Sequence, residues 1–358
     1  MAALLAAAAA CSGKSELPSG GTSARFPVLE EPGSARALRV LAGHRIEGSD
    51  GFVVNRLGYR GAEPAAAKAP GSFRVSVVGG PFAFGRGVAS DGATVGSQLQ
   101  GLLARNVTNR RIDVVTAGSG ARADRVGQAI LESDLGLDVS PDLLIWILEP
   151  LDDADGTEGW ALPAGMAGKR AAEAEAPATS RPAVGTAEWA LLRDALARQL
   201  AEHDVAQKSD LQGSDAEREL VGPTRCLGLE MHFDRGLPAA VQAVSQRCAE
   251  RKIAFVAAIL PPPLEADVEL RALYMEALRE QRREPAESYS FQEASALAAA
   301  IRAAGCSALD LSTVLREGSE QRREPLLDLA RGRWNEKAGG LIAASLGAHI
   351  VTSVLPNR

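Results

Sequence analysis

The apolar and polar positions along this chain fall into short, almost wholly apolar runs separated by longer segments of mixed character. The apolar runs cover 73–78 (FRVSVV), 112–115, 143–148 (LLIWIL) and 253–260 (IAFVAAIL), with a shorter one at 308–311. Runs of this length, rich in Val, Ile and Leu, predict strands buried on both faces. Gly79-Gly80-Pro81 ends the first run and Pro261-Pro262-Pro263 the fourth, as turn-forming residues do. Between the runs, helical spacing predicts helices over 94–105, 123–133, 186–202, 239–251, 266–283, 291–304 and 336–354. Val126, Ala129 and Ile130 share one side of the second of these. Leu341, Ile342, Leu346 and Ile350 share one face of the last, which marks that face for burial. Strands alternating with helices predict an α/β fold: a three-layer sandwich built on a short parallel sheet.

The ends of the pattern differ from its middle. Met1 to Ala10 is an apolar run that stops at Cys11, and polar residues follow to Ser23. Small residues before a Cys resemble the end of a bacterial lipoprotein signal, although no Lys or Arg precedes the run. On that reading the chain is lipid-anchored at Cys11, in the cell envelope or periplasm. On the other reading the segment is an Ala-rich terminus with an incidental Cys, and the protein is cytoplasmic. Residues 12–50 read as a flexible tether, and 51–358 as one domain with a low-complexity insertion at about 154–185, rich in Ala, Gly, Pro and Glu.

Composition narrows the function classes. The net charge of -6 argues against a nucleic-acid footprint, which needs a basic surplus. After the N-terminus no apolar run reaches the length that spans a bilayer. Cys226, Cys248 and Cys306 form no metal-binding spacing. Cys226 and Cys248 are either disulfide partners in an exported protein or small buried side chains. Nothing in the sequence calls for a cofactor or a metal. The hexapeptide EQRREP occurs at 280–285 and again at 320–325; both copies read as solvated, without an assigned role.

The chemistry should lie where the first strand ends, since ligands of parallel α/β sheets bind at the carboxyl ends of the strands. That turn, 79–87, reads GGPFAFGRG. As a phosphate loop it fails at both residues that carry the chemistry, because Arg86 and Gly87 stand where Lys and Ser/Thr are needed. A second comparison fits better. Val77-Val78-Gly79-Gly80-Pro81-Phe82-Ala83-Phe84-Gly85-Arg86-Gly87-Val88 resembles the first block of the SGNH (GDSL-type) hydrolases, usually near V-L-G-D-S-F-T-x-G-x-G-V. Asn55-Arg56-Leu57-Gly58-Tyr59-Arg60-Gly61 resembles the stretch that precedes this block in envelope members. Val114 to Gly118, Pro141 to Ile145, and Arg333-Trp334-Asn335-Glu336-Lys337-Ala338 with Leu341-Ile342-Ala343 resemble the later blocks, in family order. The resemblance runs from about Val53 to Leu346 and implies a flavodoxin-like strand order.

It also implies an ester-cleaving site, and this chain departs from the pattern at every reactive position. In the family a Ser attacks the ester carbonyl, a His takes its proton, and an Asp orients the His. The Ser N–H, a Gly N–H and an Asn side chain hold the oxyanion. Carried over, the nucleophile position is Pro81, which has neither hydroxyl nor N–H, and the Asp before it is Gly80. The oxyanion Asn position is Leu151, the base position is Arg333, and the orienting Asp position is Ala330. An Arg stays protonated and cannot act as a base. A block-two Gly survives as Gly118 or Gly120.

The expectation is therefore a degenerate SGNH-like protein, catalytically inactive, with a polysaccharide or protein partner in the envelope. The alternative is an active esterase, deacetylase or O-acyltransferase-related enzyme with relocated residues. For that alternative Ser119, at the edge of the site, is the better spare nucleophile, whereas Ser76 lies inside the first strand. The four histidines, His44, His203, His232 and His349, each read as packed or surface residues. Arg333, Trp334 and Asn335 complete the candidate residual site, with the Arg available to an anion and the Trp to a sugar face.

Overall fold

The structure is a computed structural model. It describes residues 45–46, 52–53, 55, 57–65, 67–85, 88, 90–118, 123–150, 190, 193, 233–280, 291–322, 326–328 and 333–357. The expected signal with Cys11, the insertion at 154–185 and Cys226 lie outside these residues, as does all but two residues of the helix expected at 186–202.

Five parallel strands form the central sheet: β1 (Phe73–Gly79), β2 (Ile112–Gly118), β3 (Leu143–Leu148), β4 (Ala254–Ile259) and β5 (Ala308–Asp310). Their order across the sheet is β2-β1-β3-β4-β5, all neighbours running parallel. This is the flavodoxin-like order, whose strand order reverses next to β1. β3 is buried at every residue, which explains why its sequence shows no alternation.

The helices are α1 (Pro81–Phe84), α2 (Val95–Asn106), α3 (Ala123–Ser133), α4 (Leu237–Glu250), α5 (Pro263–Ala266), α6 (Val268–Glu280), α7 (Glu293–Ala303), α8 (Ser312–Arg322) and α9 (Glu336–His349). Side chains alternate across β3 and split the core in two. Leu143, Ile145 and Ile147 join Leu99 of α2, Leu273 of α6, Leu315 of α8 and Ile342 of α9. Leu144, Trp146 and Leu148 join Ile130 of α3, Val241 of α4 and Ile301 of α7. The three-layer sandwich expected from the pattern is thus observed.

Three differences from the sequence reading have physical causes. Arg45–Ile46 pairs with Phe52–Val53 as a short antiparallel ribbon, so two residues of the segment read as tether belong to a strand. α8 was not expected, because STVLREGSEQR is polar and carries a glycine. Gly318 lies against the Leu341 side chain of α9: a Cβ there would stand 2.3 Å from the Leu341 Cδ1. Cys248 is a free thiol, fully buried among the residues packed under α4, and burial pushes its pKa up to about 12. Of its two readings the structure supports the small buried side chain.

Of the two EQRREP copies, only Glu280 and residues 320–322 are among the described residues. The first begins at Glu280, the last residue of α6, and the second spans the end of α8. α9 continues into a π-turn at Ile350–Val354. Glu336–Val354 is long and apolar enough by length and composition to cross a membrane. Its Ile342, Leu346 and Ile350 are instead packed in the core, as befits an internal helix.

Candidate functional site

The site is built from the carboxyl end of β1 outward. Gly79 closes the strand, and a Cβ there would lie 2.5 Å from the Ala83 Cβ and 3.0 Å from the Ile147 carbonyl oxygen. The chain must double back tightly at this point, so only glycine fits. Pro81 then opens α1 at its first position, where its fixed φ and missing N–H suit a helix start. Gly85 closes α1 with φ 80°, donating to the Phe82 and Pro81 carbonyls, the left-handed cap that glycine supplies.

The N-cap residue Gly80 offers no side chain to the first turn. The acceptor comes instead from the end of β3. Glu149 accepts from the Phe82 N–H at 3.1 Å and the Ala83 N–H at 3.2 Å, one with each carboxylate oxygen. Gly80 is equally constrained, since a Cβ on it would meet the Glu149 carboxyl at 3.1 Å. Glu149 is half-buried as a residue, yet its carboxyl is desolvated enough to lift its pKa from 4.5 to about 7. The backbone donors at Phe82, Ala83 and Gly80 oppose that rise. Sequence comparison passed over Glu149. The available signal was a charged residue directly after six buried ones, because an acid at a strand's carboxyl end must find donors or stay neutral.

The same geometry disposes of the phosphate-loop comparison. The Phe82 and Ala83 N–H groups are taken by Glu149, and the Phe84 and Gly85 N–H groups by the Gly80 and Phe82 carbonyls. Residues 82–85 therefore present no cradle of free donors to a phosphate.

Residues upstream hold this turn in place. The Asn55 side chain accepts from the Leu57 and Tyr59 N–H groups. Tyr59 donates its hydroxyl to Asp138 at 2.6 Å and accepts from the Gly136 N–H. Arg60 is almost fully enclosed, pairs with Asp91 at 2.7 Å and donates to the Gly85 and Val88 carbonyls. The 55–61 stretch is thus a brace for the loop after β1. Replacing Arg60 by Met leaves those carbonyls without their donor, and we expect a loss of about 2 kcal/mol in urea unfolding.

The remaining sequence-predicted positions fall differently. Gly118 ends β2 and faces the backbone of Phe84: a Cβ on it would sit 2.4 Å from the Phe84 Cα. It serves packing. Trp334 is 6 % exposed and belongs to the core under α9, which removes its ring from any sugar-stacking role. Asn335 is the N-cap of α9, accepting from the Lys337 and Ala338 N–H groups at 3.0 and 3.2 Å. Asn335→Ala should cost about 1 kcal/mol of stability, readable as a lower urea midpoint. Arg333 pairs with Asp328 in a two-residue antiparallel ribbon. Leu151, Ala330, Ser119 and Gly120 lie outside the described residues, as do His44, His203 and His232.

His349 ends α9, about 20 Å along the helix from Asn335 by its rise per residue, and burial lowers its pKa. Ser76 is fully buried inside β1. Two Ser–carboxylate pairs lie near the strand ends, one of them exposed, where Ser295 of α7 donates to Asp310 at the end of β5 at 2.7 Å. Ser312 donates to Glu265 at 3.1 Å, and Glu265 also accepts from the Ala294 N–H at 2.9 Å. Both residues are under 5 % exposed, so the pair ties α5 to α7 and α8 in the interior, and burial raises the Glu265 pKa. Among the described residues no three His, Cys, Asp or Glu side chains are grouped to hold a metal ion.

No protein-family model matches this chain, and no curated protein matches it. The solved structures similar to this chain include two hydrolases. One is LAE5, an alpha/beta hydrolase enzyme from the metagenome of Lake Arreo, Spain, at 14% identity and TM-score 0.37, covering 79% of this chain and 97% of that one. The other is the acetyl xylan esterase AlAXEase, at 11% identity and TM-score 0.38, covering 77% of this chain and 99% of that one. At these scores the likeness carries nothing about chemistry. The chain's own five-stranded parallel sheet, flanked by helices on both faces, establishes an α/β fold.

Proposed function

We propose that this protein is a non-catalytic relative of the SGNH hydrolases that acts at a bacterial envelope by binding a polysaccharide or a protein partner. One observation carries the non-catalytic part: Pro81, at the position where the family has its nucleophile, opens α1 as its first residue, so the edge of the sheet offers neither an attacking hydroxyl nor an N–H there. Acyl transfer needs donors aimed at a developing oxyanion. Pro81 removes the attacking hydroxyl and its N–H together. The reading as an active esterase, deacetylase or O-acyltransferase relative gains nothing from Ser76 or Ser312, which are interior.

The envelope part rests on the small residues before Cys11. The test of activity is p-nitrophenyl acetate turnover by the purified protein. The expected rate equals that of the heat-denatured sample. A rate far above it, saturable in substrate, would refute the proposal. Cys11→Ala should move the protein from the detergent-extracted to the soluble fraction of expressing bacteria; unchanged partition would remove the lipid anchor from the account.

A further inference from the structure

Among the described residues β2 is an outer strand of the sheet, paired with β1 alone. An outer strand presents unpaired N–H and C=O groups that another chain can pair with. In β2 these groups alternate, so those of Ile112, Val114, Thr116 and Gly118 share a direction. At the first two of these residues the direction carries a partner. Gln100 of α2 donates its side-chain amide to the Ile112 carbonyl at 2.8 Å and accepts from the Val114 N–H at 2.6 Å.

That pair of bonds has a specific meaning in a parallel sheet. One residue of a neighbouring parallel strand donates to the carbonyl of one residue and accepts from the N–H two residues on. The Gln100 carboxamide, one N–H donor and one carbonyl, does the same to Ile112 and Val114. It stands where one residue of a sixth strand would stand, opposite Asp113. Charge flanks the same place: Arg111 pairs with Asp113 at 3.0 Å and is well exposed, and charged side chains are a common defence of sheet edges.

We infer that Gln100 is an edge guard, a side chain that ends the sheet at β2 by imitating the next strand and so keeps the β2 of a second copy from adding there. The device is built into the crossover, because the helix that returns the chain from β1 to β2 carries the residue that closes β2. It is independent of the non-catalytic reading, and holds whether or not the site turns over a substrate.

Two measurements test it. In wild type, hydrogen exchange of the Val114 amide should be slowed at least tenfold relative to a free amide; exchange at the free rate would overturn the inference. Gln100→Met keeps the side chain's length without its donor and acceptor, so it preserves packing against β2. Light scattering over a concentration series should show Gln100→Met forming dimers or larger species at concentrations where wild type does not. Folding of the variant is checked by its circular dichroism. A folded variant whose mass matches wild type at every concentration, with Val114 exchanging faster, would overturn the guarding role. If the variant does not fold, the wild-type exchange result decides alone.

Discussion

Gly118→Ala is expected to lower the unfolding free energy by about 3 kcal/mol, because the added methyl group has no room. The reason is local. The new Cβ would sit 2.4 Å from the Phe84 Cα and 2.5 Å from its nitrogen, and both are backbone atoms that no rotamer change can move. Either β2 shifts away from β1 or α1 lifts from the sheet. The second choice would pull the Phe82 and Ala83 N–H groups from Glu149. A methyl group elsewhere does the opposite: Gly101→Ala, inside α2, meets only the far end of Arg105 at 3.6 Å. It should stabilise the protein by about 0.5–1 kcal/mol through helix propensity. Urea unfolding of both variants checks the contrast, and similar midpoints for the two would show that Gly118 is not packed as described.

The second large effect is a pH dependence. Burial holds the Glu149 carboxyl at about 7 against its ordinary 4.5, so the native state binds a proton in that interval which the unfolded chain has released. A group whose folded pKa is raised in this way costs stability as pH rises from 4.5 through 7, and the full cost is present above 7. The difference corresponds to about 3 kcal/mol at alkaline pH, most of it appearing between pH 5 and pH 8. Glu149→Gln has no such titration. The stability difference between wild type and variant should therefore change by about 2–3 kcal/mol between pH 5 and pH 8, wild type losing ground at the higher pH. Glu265, also raised by burial, titrates in both proteins and cancels in the difference. Parallel pH profiles for the two proteins would mean that the Glu149 carboxyl is solvated.

The strands were legible because a parallel sheet buries both faces of each strand; their order was what the family resemblance implied, and the sheet has it. The apolar run at 143–148 matches β3 to the residue, and the helix at 123–133 matches α3 as closely. What escaped was long-range contact. α8 carries little apolar periodicity, and what seats it is the contact of Leu315 with residues far away in the chain. Trp334 and Asn335 read as site residues because they follow Arg333 in a block that resembles the family's last one. In space the short ribbon Leu327–Asp328 with Arg333–Trp334 turns the Trp into the core, and Asn335 spends its side chain capping α9. At the turn after β1 the sequence disclosed a loss, Pro81 in place of a nucleophile. It did not disclose the replacement. Glu149 lies 67 residues from Phe82, and only the pairing of β1 with β3 brings the two together.

The central claim is that no activated serine stands at the carboxyl edge of this sheet. The most direct measurement is exposure of the native protein to a fluorophosphonate serine probe, with intact mass and peptide mapping as the readout and a heat-denatured sample as control. The account predicts no stoichiometric adduct in the native protein. A single serine labelled to one equivalent in the native protein, and not in the denatured one, would contradict it and would mark where an active site lies.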